Sequence, residues 1–260
     1  MAVDKLVDST QLDADLTSVA NAIRTKGGTS AQLAFPAEFV QAIGDIETGG
    51  GGSNDKADMF PIPDGYSLPS NYQKLAYCDS SGTQICNTGV IATINTKIEF
   101  AGYFIPGTYD GYGYMFGSTT PVLYNASQGA STGSYLGFGN KSDFWTLGTN
   151  QYYRPGVPLW TMSAEKARVQ ISPLVDLEKA CGATTMGGAT NPICIFGRRD
   201  GSTNKKFSSV RFFRMRIWES DTLVRCIFPV LKDGDEVCLY DVVNGIYIPN
   251  IGTGALSGVM

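Results

Sequence analysis

Histidine is absent from all 260 residues. That removes the Ser-His-Asp and Cys-His nucleophile systems and every metal site that relies on an imidazole. A cationic surplus is missing as well: 20 Lys and Arg stand against 24 Asp and Glu, a net charge of −4. This balance argues against the basic groove that nucleic-acid binding requires. No apolar run approaches the ~20 residues of a membrane span, so no membrane insertion is expected. The opening MAVDKLVDSTQ lacks the basic and then apolar zones of a secretory signal, and the expected site of folding is a cytoplasm. None of the six cysteines (Cys78, Cys86, Cys181, Cys194, Cys226 and Cys238) forms a CxxC pair. Neither a zinc knuckle nor a redox pair is therefore indicated. Cys226 and Cys238 straddle the turn-like KDGDE and could meet across a hairpin. In a protein assembled in a cytoplasm all six read better as buried free thiols.

What the chain has in quantity is glycine (31), tyrosine and phenylalanine (13 each), the balance of an all-β protein with many turns. Gly49–Ser53 reads GGGGS, a tract with almost no preferred geometry, and therefore a joint. Before it, Leu12, Leu16, Val19 and Ile23 recur at helical spacing. Asp13 or Thr10 can cap that helix, and Gly27-Gly28 stops it. A second stripe of Phe39, Val40, Ile43 and Ile46 follows Pro36, which suits a first helical position. A helical hairpin of about forty residues is too small to cover its own apolar stripes. Leu12, Leu16, Val19, Ile23, Phe39 and Ile43 are thus expected to be covered by other copies of the chain, most simply in a homotrimer, or by a host structure. Packing onto the rest of the same chain is the alternative, which the glycine joint disfavours.

After the joint, strand-like runs alternate with turn chemistry. NTKIEFAGYF places Ile98, Phe100 and, less cleanly, Phe104 on one side of a strand. Further strands are expected in YLGFGN, DFWTLG, RVQISPLVDL, PICIFGRR, TLVRCIFPVL, EVCLYDVV and GIYIPN. SVRFFRMRIW alternates Val210, Phe212, Met215 and Ile217 imperfectly, with Arg211, Arg214 and Arg216 between, which points to a bulge. Asn244-Gly245 is the strongest short hairpin signal in the chain. Ten or more short strands make a mainly β fold, a β-sandwich or jelly roll, preceded by the small helical hairpin. The expected division is 1–48 helical attachment segment, 49–69 Gly-rich linker and lead-in, and 70–260 sandwich.

The order of YCDSSGTQICNTGV, CIFGRRDGSTNKKFSSVRFFRMRIWESDTLVRCIFPV and VCLYDVVNGIYIPNIGTG resembles the concanavalin A-like jelly rolls of the laminin-G type found in phage and prophage structural proteins. The resemblance spans roughly residues 70–256. LDADLTSVANAIRTKGGTSAQLAFPAEFVQAIGDI resembles a segment recurring near the start of tail and fibre proteins from phages of Gram-positive gut bacteria. Together they imply a virion structural protein assembled in the bacterial cytoplasm, either a fibre or receptor-binding adhesin that meets a surface glycan, or a head-fibre or decoration protein that contacts only other virion proteins. A glycan-active enzyme is the third alternative.

Each group of chemistry-bearing residues also admits a plainer role. Asp233, Asp235 and Glu236 in KDGDE are the nearest carboxylates for glycan hydrolysis, but they read as an exposed turn. The ExDxE strand motif of the hydrolase branch is absent, so no enzyme is expected. The laminin-G resemblance implies a rim calcium for which Asp110, Asp143, Asp176 and Asp200 are loop-proximal; no DxDxDG run supports it, and no cofactor is expected. FGRRDGSTNKK gathers Arg198, Arg199, Lys205 and Lys206, either as a contact for an anionic cell-wall polymer or as a solvated hairpin tip. GYFIPGTYDGYGYMFG and DFWTLGTNQYYRPGVPLW set Tyr103, Tyr109, Tyr112, Tyr114, Trp145, Tyr152, Tyr153 and Trp160 among glycines. Aromatic rings on such loops offer flat contact surfaces for sugars, the alternative being ordinary core packing. Tyr109, Tyr112, Trp145, Tyr152 and Tyr153 are the expected glycan contacts.

Overall fold

A computed structural model describes residues 59–105, 112–119, 122–128, 134–147, 156–171, 175–188, 190–200, 203–205 and 207–260, together with residues 16, 17 and 21. The chain divides into two units, Met1–Asp55 and Lys56–Met260. In the first, Leu16, Thr17 and Asn21 are helical and Leu16 is half-buried. The rest of the expected hairpin, with Leu12, Val19, Ile23, Phe39 and Ile43, lies outside the described residues, as does the GGGGS tract.

The second unit is mainly β. Its first strands are β1 (Tyr72–Lys74), β2 (Tyr77–Asp79), β3 (Cys86–Asn87) and β4 (Thr96–Phe104). Then come β5 (Tyr112–Ser118), β6 (Leu123–Gln128), β7 (Ser134–Phe138) and β8 (Lys141–Leu147). A third group is β9 (Leu159–Met162), β10 (Lys166–Ile171), β11 (Val175–Ala180), β12 (Cys194–Ile195), β13 (Arg198–Asp200) and β14 (Thr203–Lys205). The chain finishes with β15 (Val210–Glu219), β16 (Thr222–Lys232), β17 (Glu236–Asp241), β18 (Ile246–Ile248) and β19 (Ser257–Val259). Among the described residues these form a large antiparallel sheet in the order β11-β10-β9-β4-β15-β16-β17-β18, with β1, β2 and β19 attached beside β15 and β16. A six-stranded antiparallel sheet runs β3-β12-β5-β6-β7-β8, and β13 and β14 pair separately.

The two larger sheets share one core. Strand β10 shows the underlying pattern: Ala167, Val169 and Ile171 are buried while Lys166, Arg168 and Gln170 face outward. Phe100 of β4 meets Phe116 of β5 across the gap, 5.0 Å between ring centres, and meets Phe212 of β15 at 5.4 Å. The expected irregularity in SVRFFRMRIW is present. Phe212 opposes Gly102 and Arg214 opposes Ala101, so Phe213 is the extra residue of a bulge. Phe213 packs on the outer face of the large sheet, against Phe60 and Tyr77. Strands β16 and β17 are apolar on both faces: Ile227 and Leu239 join the inter-sheet core, while Cys226, Phe228, Val230, Cys238 and Tyr240 form a second cluster outside it. Phe60, Ile62, Leu68 and Tyr72 pack on that second cluster. The lead-in from Phe60 is therefore part of the folded unit.

Two expectations need correction. From Tyr112 onward YGYMFG is part of strand β5 rather than an aromatic loop, and Gly117 is there for a packing reason given below. Trp160 is a core residue of β9, its indole N–H donating to the Gly102 carbonyl at 3.0 Å.

All six cysteines are free and buried, Cys226 and Cys238 included. Burial pushes the Cys226 thiol up to about 11 and those of Cys194 and Cys238 up to about 12, from an ordinary 9.0. Between about pH 9 and 12 the unfolded chain has then released protons that the folded chain still holds, so unfolding becomes easier as pH rises. The urea midpoint is expected to fall between pH 8 and pH 10. Alkylation at pH 8 should leave the native protein unlabelled and modify six sites after denaturation. A midpoint that stays flat to pH 10 would contradict the burial of these thiols.

Candidate functional site

Opposed residues of an antiparallel sheet share a face, so pairing shows what the six-stranded sheet presents on each side. One row runs Tyr114, Ala126, Tyr135 and Thr146 across β5 to β8, and its neighbour runs Gly117, Tyr124 and Gly137. These rows lie away from the inter-sheet core, where Tyr114, Tyr124 and Ala126 make a separate cluster with Val122 and Tyr135. The glycines have a steric purpose. A Cβ on Gly137 would stand 2.5 Å from the Tyr124 ring, and one on Gly117 would stand 2.9 Å from the Tyr124 Cβ. Tyr124 thus lies down across Gly137 in space that any side chain would fill.

Its hydroxyl reaches β8, where it donates to Asp143 Oδ1 at 2.8 Å and accepts the Asp143 N–H at 3.3 Å. Asp143 has a positive φ of 47°, which turns its backbone toward that hydroxyl. Burial, and then the bond to the Asp143 carboxylate, push the Tyr124 hydroxyl well above its ordinary pKa. Tyr114 stands edge-on to Tyr124, 5.4 Å between centres. Arg198 of β13 lies 4.7 Å from the Tyr114 ring centre and its Nη1 donates to the Tyr114 hydroxyl at 2.6 Å. Tyr114 and Tyr124 are 7% and 9% exposed and form a floor. Above it stand half-buried Tyr135 and Arg198 and exposed Asp143 and Thr146.

The placement of Arg198 depends on a strained residue. Fully buried Phe196, between β12 and β13, has a φ of 69°, in the left-handed region that a bulky side chain avoids. Its N–H donates to the Met115 carbonyl at 2.8 Å and its carbonyl accepts the Ser208 N–H at 2.9 Å. Its ring packs edge-on against Phe212 at 5.8 Å. Such a conformation costs on the order of 1–3 kcal/mol and persists only where the surroundings enforce it. Two residues later the chain delivers Arg198 beside Tyr114.

Of the expected glycan contacts, Tyr109, Tyr152 and Tyr153 lie outside the described residues. Tyr112 opens β5, its backbone opposite Gln128. Trp145 shares the inner row with Leu136 and Asn125 and packs, half-buried, on the inter-sheet core, not on the tyrosine cluster. Tyr124 and Tyr135 were not expected at all. Asp233, Asp235 and Glu236 are exposed at the β16–β17 turn, where Glu236 accepts from Tyr247 at 2.7 Å and Asp233 from Asn71 at 3.1 Å. The calcium candidates are dispersed: Asp143 serves Tyr124, Asp176 pairs with Arg168 at 2.5 Å, and Asp200 ends β13. Asp110 lies outside the described residues. Among the described residues no three Cys, Asp or Glu come together as a metal would need. Arg198 and Arg199 pair through the backbone with Lys205 and Asn204 of β14, and Lys206 lies outside the described residues. Among the described residues no helix is long and apolar enough to cross a membrane. No protein-family model matches the chain, and no curated protein matches it.

Proposed function

We propose that this chain is a fibre or receptor-binding component of a tailed-phage virion, whose β-unit presents the outer face of its six-stranded sheet to a glycan of the bacterial envelope. In this reading the β-unit is a lectin-like jelly roll of the concanavalin A type. Residues 1–48 form the helical hairpin that joins copies into a trimer or docks them to other virion proteins, and Gly49–Ser53 is the joint between them. Many weak contacts on a multi-copy particle add through effective concentration, so each can be poor alone. The observation that carries the reading is the tyrosine floor under a polar rim: Tyr114 and Tyr124 lie across Gly117 and Gly137, beneath Tyr135, Asp143, Thr146 and Arg198. Carbohydrate sites pair flat apolar surface with a few fixed polar groups in this way.

A virion protein with purely structural contacts is the second reading, and one observation favours it. Ile246 and Tyr247, on the terminal strand β18 of the large sheet, are 40% and 37% exposed, an apolar edge that a neighbouring subunit would cover. Binding to envelopes separates the two. The labelled full chain should sediment with envelope fractions from a panel of Gram-positive gut bacteria. Thr146→Ala should bind less at an unchanged melting temperature, because an exposed rim residue contributes little to the core. Tyr135→Ala should bind less with only the modest loss of stability expected of a half-buried ring. If the intact chain sediments with no envelope fraction, the structural reading replaces the adhesin.

A further inference from the structure

Among the described residues of the β-unit, five arginines have a carboxylate within reach. Arg168 faces Asp176, Arg211 faces Asp79, Arg214 and Arg216 share Glu99, and Arg225 faces Asp241, at 2.5 to 3.7 Å. Arg198 differs. Among the described residues no carboxylate pairs with it, and its one side-chain hydrogen bond goes to a neutral acceptor, the Tyr114 hydroxyl. Its Nε is buried with no hydrogen-bond partner. A guanidinium held half-buried without a counterion pays desolvation and gains no ion pair in return. Here it is also fixed in direction, stacked 4.7 Å from the Tyr114 ring centre and placed there by the left-handed Phe196.

A planar cation held over an aromatic ring, with its other donors unused, is built to receive a planar or tetrahedral oxyanion through paired N–H bonds. We infer that Arg198 is an anion-recognition residue, and that the glycan met by this face carries an acidic group, a phosphodiester or a uronate carboxylate, that completes the Arg198 ion pair. This rests on the adhesin reading and narrows it to an acidic carbohydrate polymer. The net charge of −4 sharpens the inference: the molecule as a whole repels polyanions, so any affinity for one must come from a local site.

The test uses the full chain with three polymers: poly(glycerol phosphate), polygalacturonate and neutral dextran. The protein should bind at least one polyanion and prefer it to dextran, and the binding should weaken with salt. Arg198→Gln should lose about ten- to hundredfold, the worth of a charge-assisted contact, while keeping its melting temperature. Arg198→Lys should recover only part, since a point charge replaces the fork. Arg168→Gln, whose ion pair lies on the large sheet, should bind as the unaltered chain does. Should Arg198→Gln melt early, the salt series on the unaltered protein decides instead, because a contact carried by charge weakens and one to a neutral sugar does not. Undiminished polyanion binding by a folded Arg198→Gln, or a preference for dextran, overturns the inference while leaving an adhesin of neutral glycans in place. A chain that binds no polymer and no envelope overturns both.

Discussion

Cutting Glu99 back to alanine is expected to cost the full chain about 3–5 kcal/mol, the loss typical when one partner of a buried ion pair is removed. Glu99 lies on the outer face of the large sheet. One of its oxygens accepts from Arg214 Nη2 at 2.5 Å and stands 3.7 Å from Arg216 Nη1. The Arg214 side chain is 7% exposed, and its guanidinium lies 4.7 Å from the Phe60 ring centre. Burial lowers the pKa of Arg214, and Glu99 is the foremost influence acting against that. Without Glu99 the Arg214 charge would remain in a place that water scarcely reaches. Arg216 is better placed to lose its neighbour, since 26% of its side chain meets solvent. Urea denaturation should show a lower midpoint at an unchanged slope. Glu99→Leu combined with Arg214→Met should return most of the loss, because replacing both members of a buried pair with apolar groups of similar size is close to neutral. A single-variant loss below about 1 kcal/mol would put the pair among surface ion pairs, screened by water.

The same strand shows how far the sequence could be read. In SVRFFRMRIW the three arginines and the broken alternation by themselves point to a bulge, because one extra residue must shift every later side chain to the other face. The structure places that residue at Phe213. Strands β5 and β6 were harder to see. Gly113 and Gly117 suggest a loop when the neighbours are unknown, yet Gly117 is required because Tyr124 lies beside it. In β6 the alternation is inverted by Asn125, a polar residue fully buried between Phe116 and Leu136. Neither polar atom of its side chain has a hydrogen-bond partner among the described residues. A buried polar residue without a local partner carries no signal that a pattern of spacing can detect. The site itself was legible only in pieces. Tyr114 stood out among aromatics, Arg198 among basic residues and Asp143 among carboxylates. What joins them is contact across 84 residues between Tyr114 and Arg198 and 19 between Tyr124 and Asp143. Nothing in the sequence around Tyr124 signals that contact.

The starting point of the β-unit gives the other large expected effect. Sequence patterning begins the sandwich near residue 70, where strand-like runs begin, and assigns 49–69 to linker and lead-in. Yet Phe60, Ile62 and Leu68 pack on Cys226, Phe228, Val230, Cys238 and Tyr240, the apolar outer face of β16 and β17. Lys74 ties this segment down by donating to the Phe60 carbonyl at 2.6 Å, while its ammonium lies 5.2 Å from the Phe228 ring centre. Three half-buried apolar side chains contribute about 2–4.5 kcal/mol together, at roughly half the value of full burial. A chain of residues 56–260 should therefore unfold cooperatively, and one of residues 70–260 should be less stable by that amount and bind a hydrophobic dye through its uncovered face. The two large effects are coupled through Phe60. Once that ring is gone, water reaches Arg214, and removing Glu99 no longer strands a dry charge. Glu99→Ala should accordingly cost residues 70–260 distinctly less than it costs residues 56–260, a departure from additivity expected only of groups in contact. Equal stability of the two chains would mean that the lead-in covers nothing of consequence. An unchanged Glu99→Ala loss in the shorter chain would mean that Phe60 is not what keeps water from Arg214.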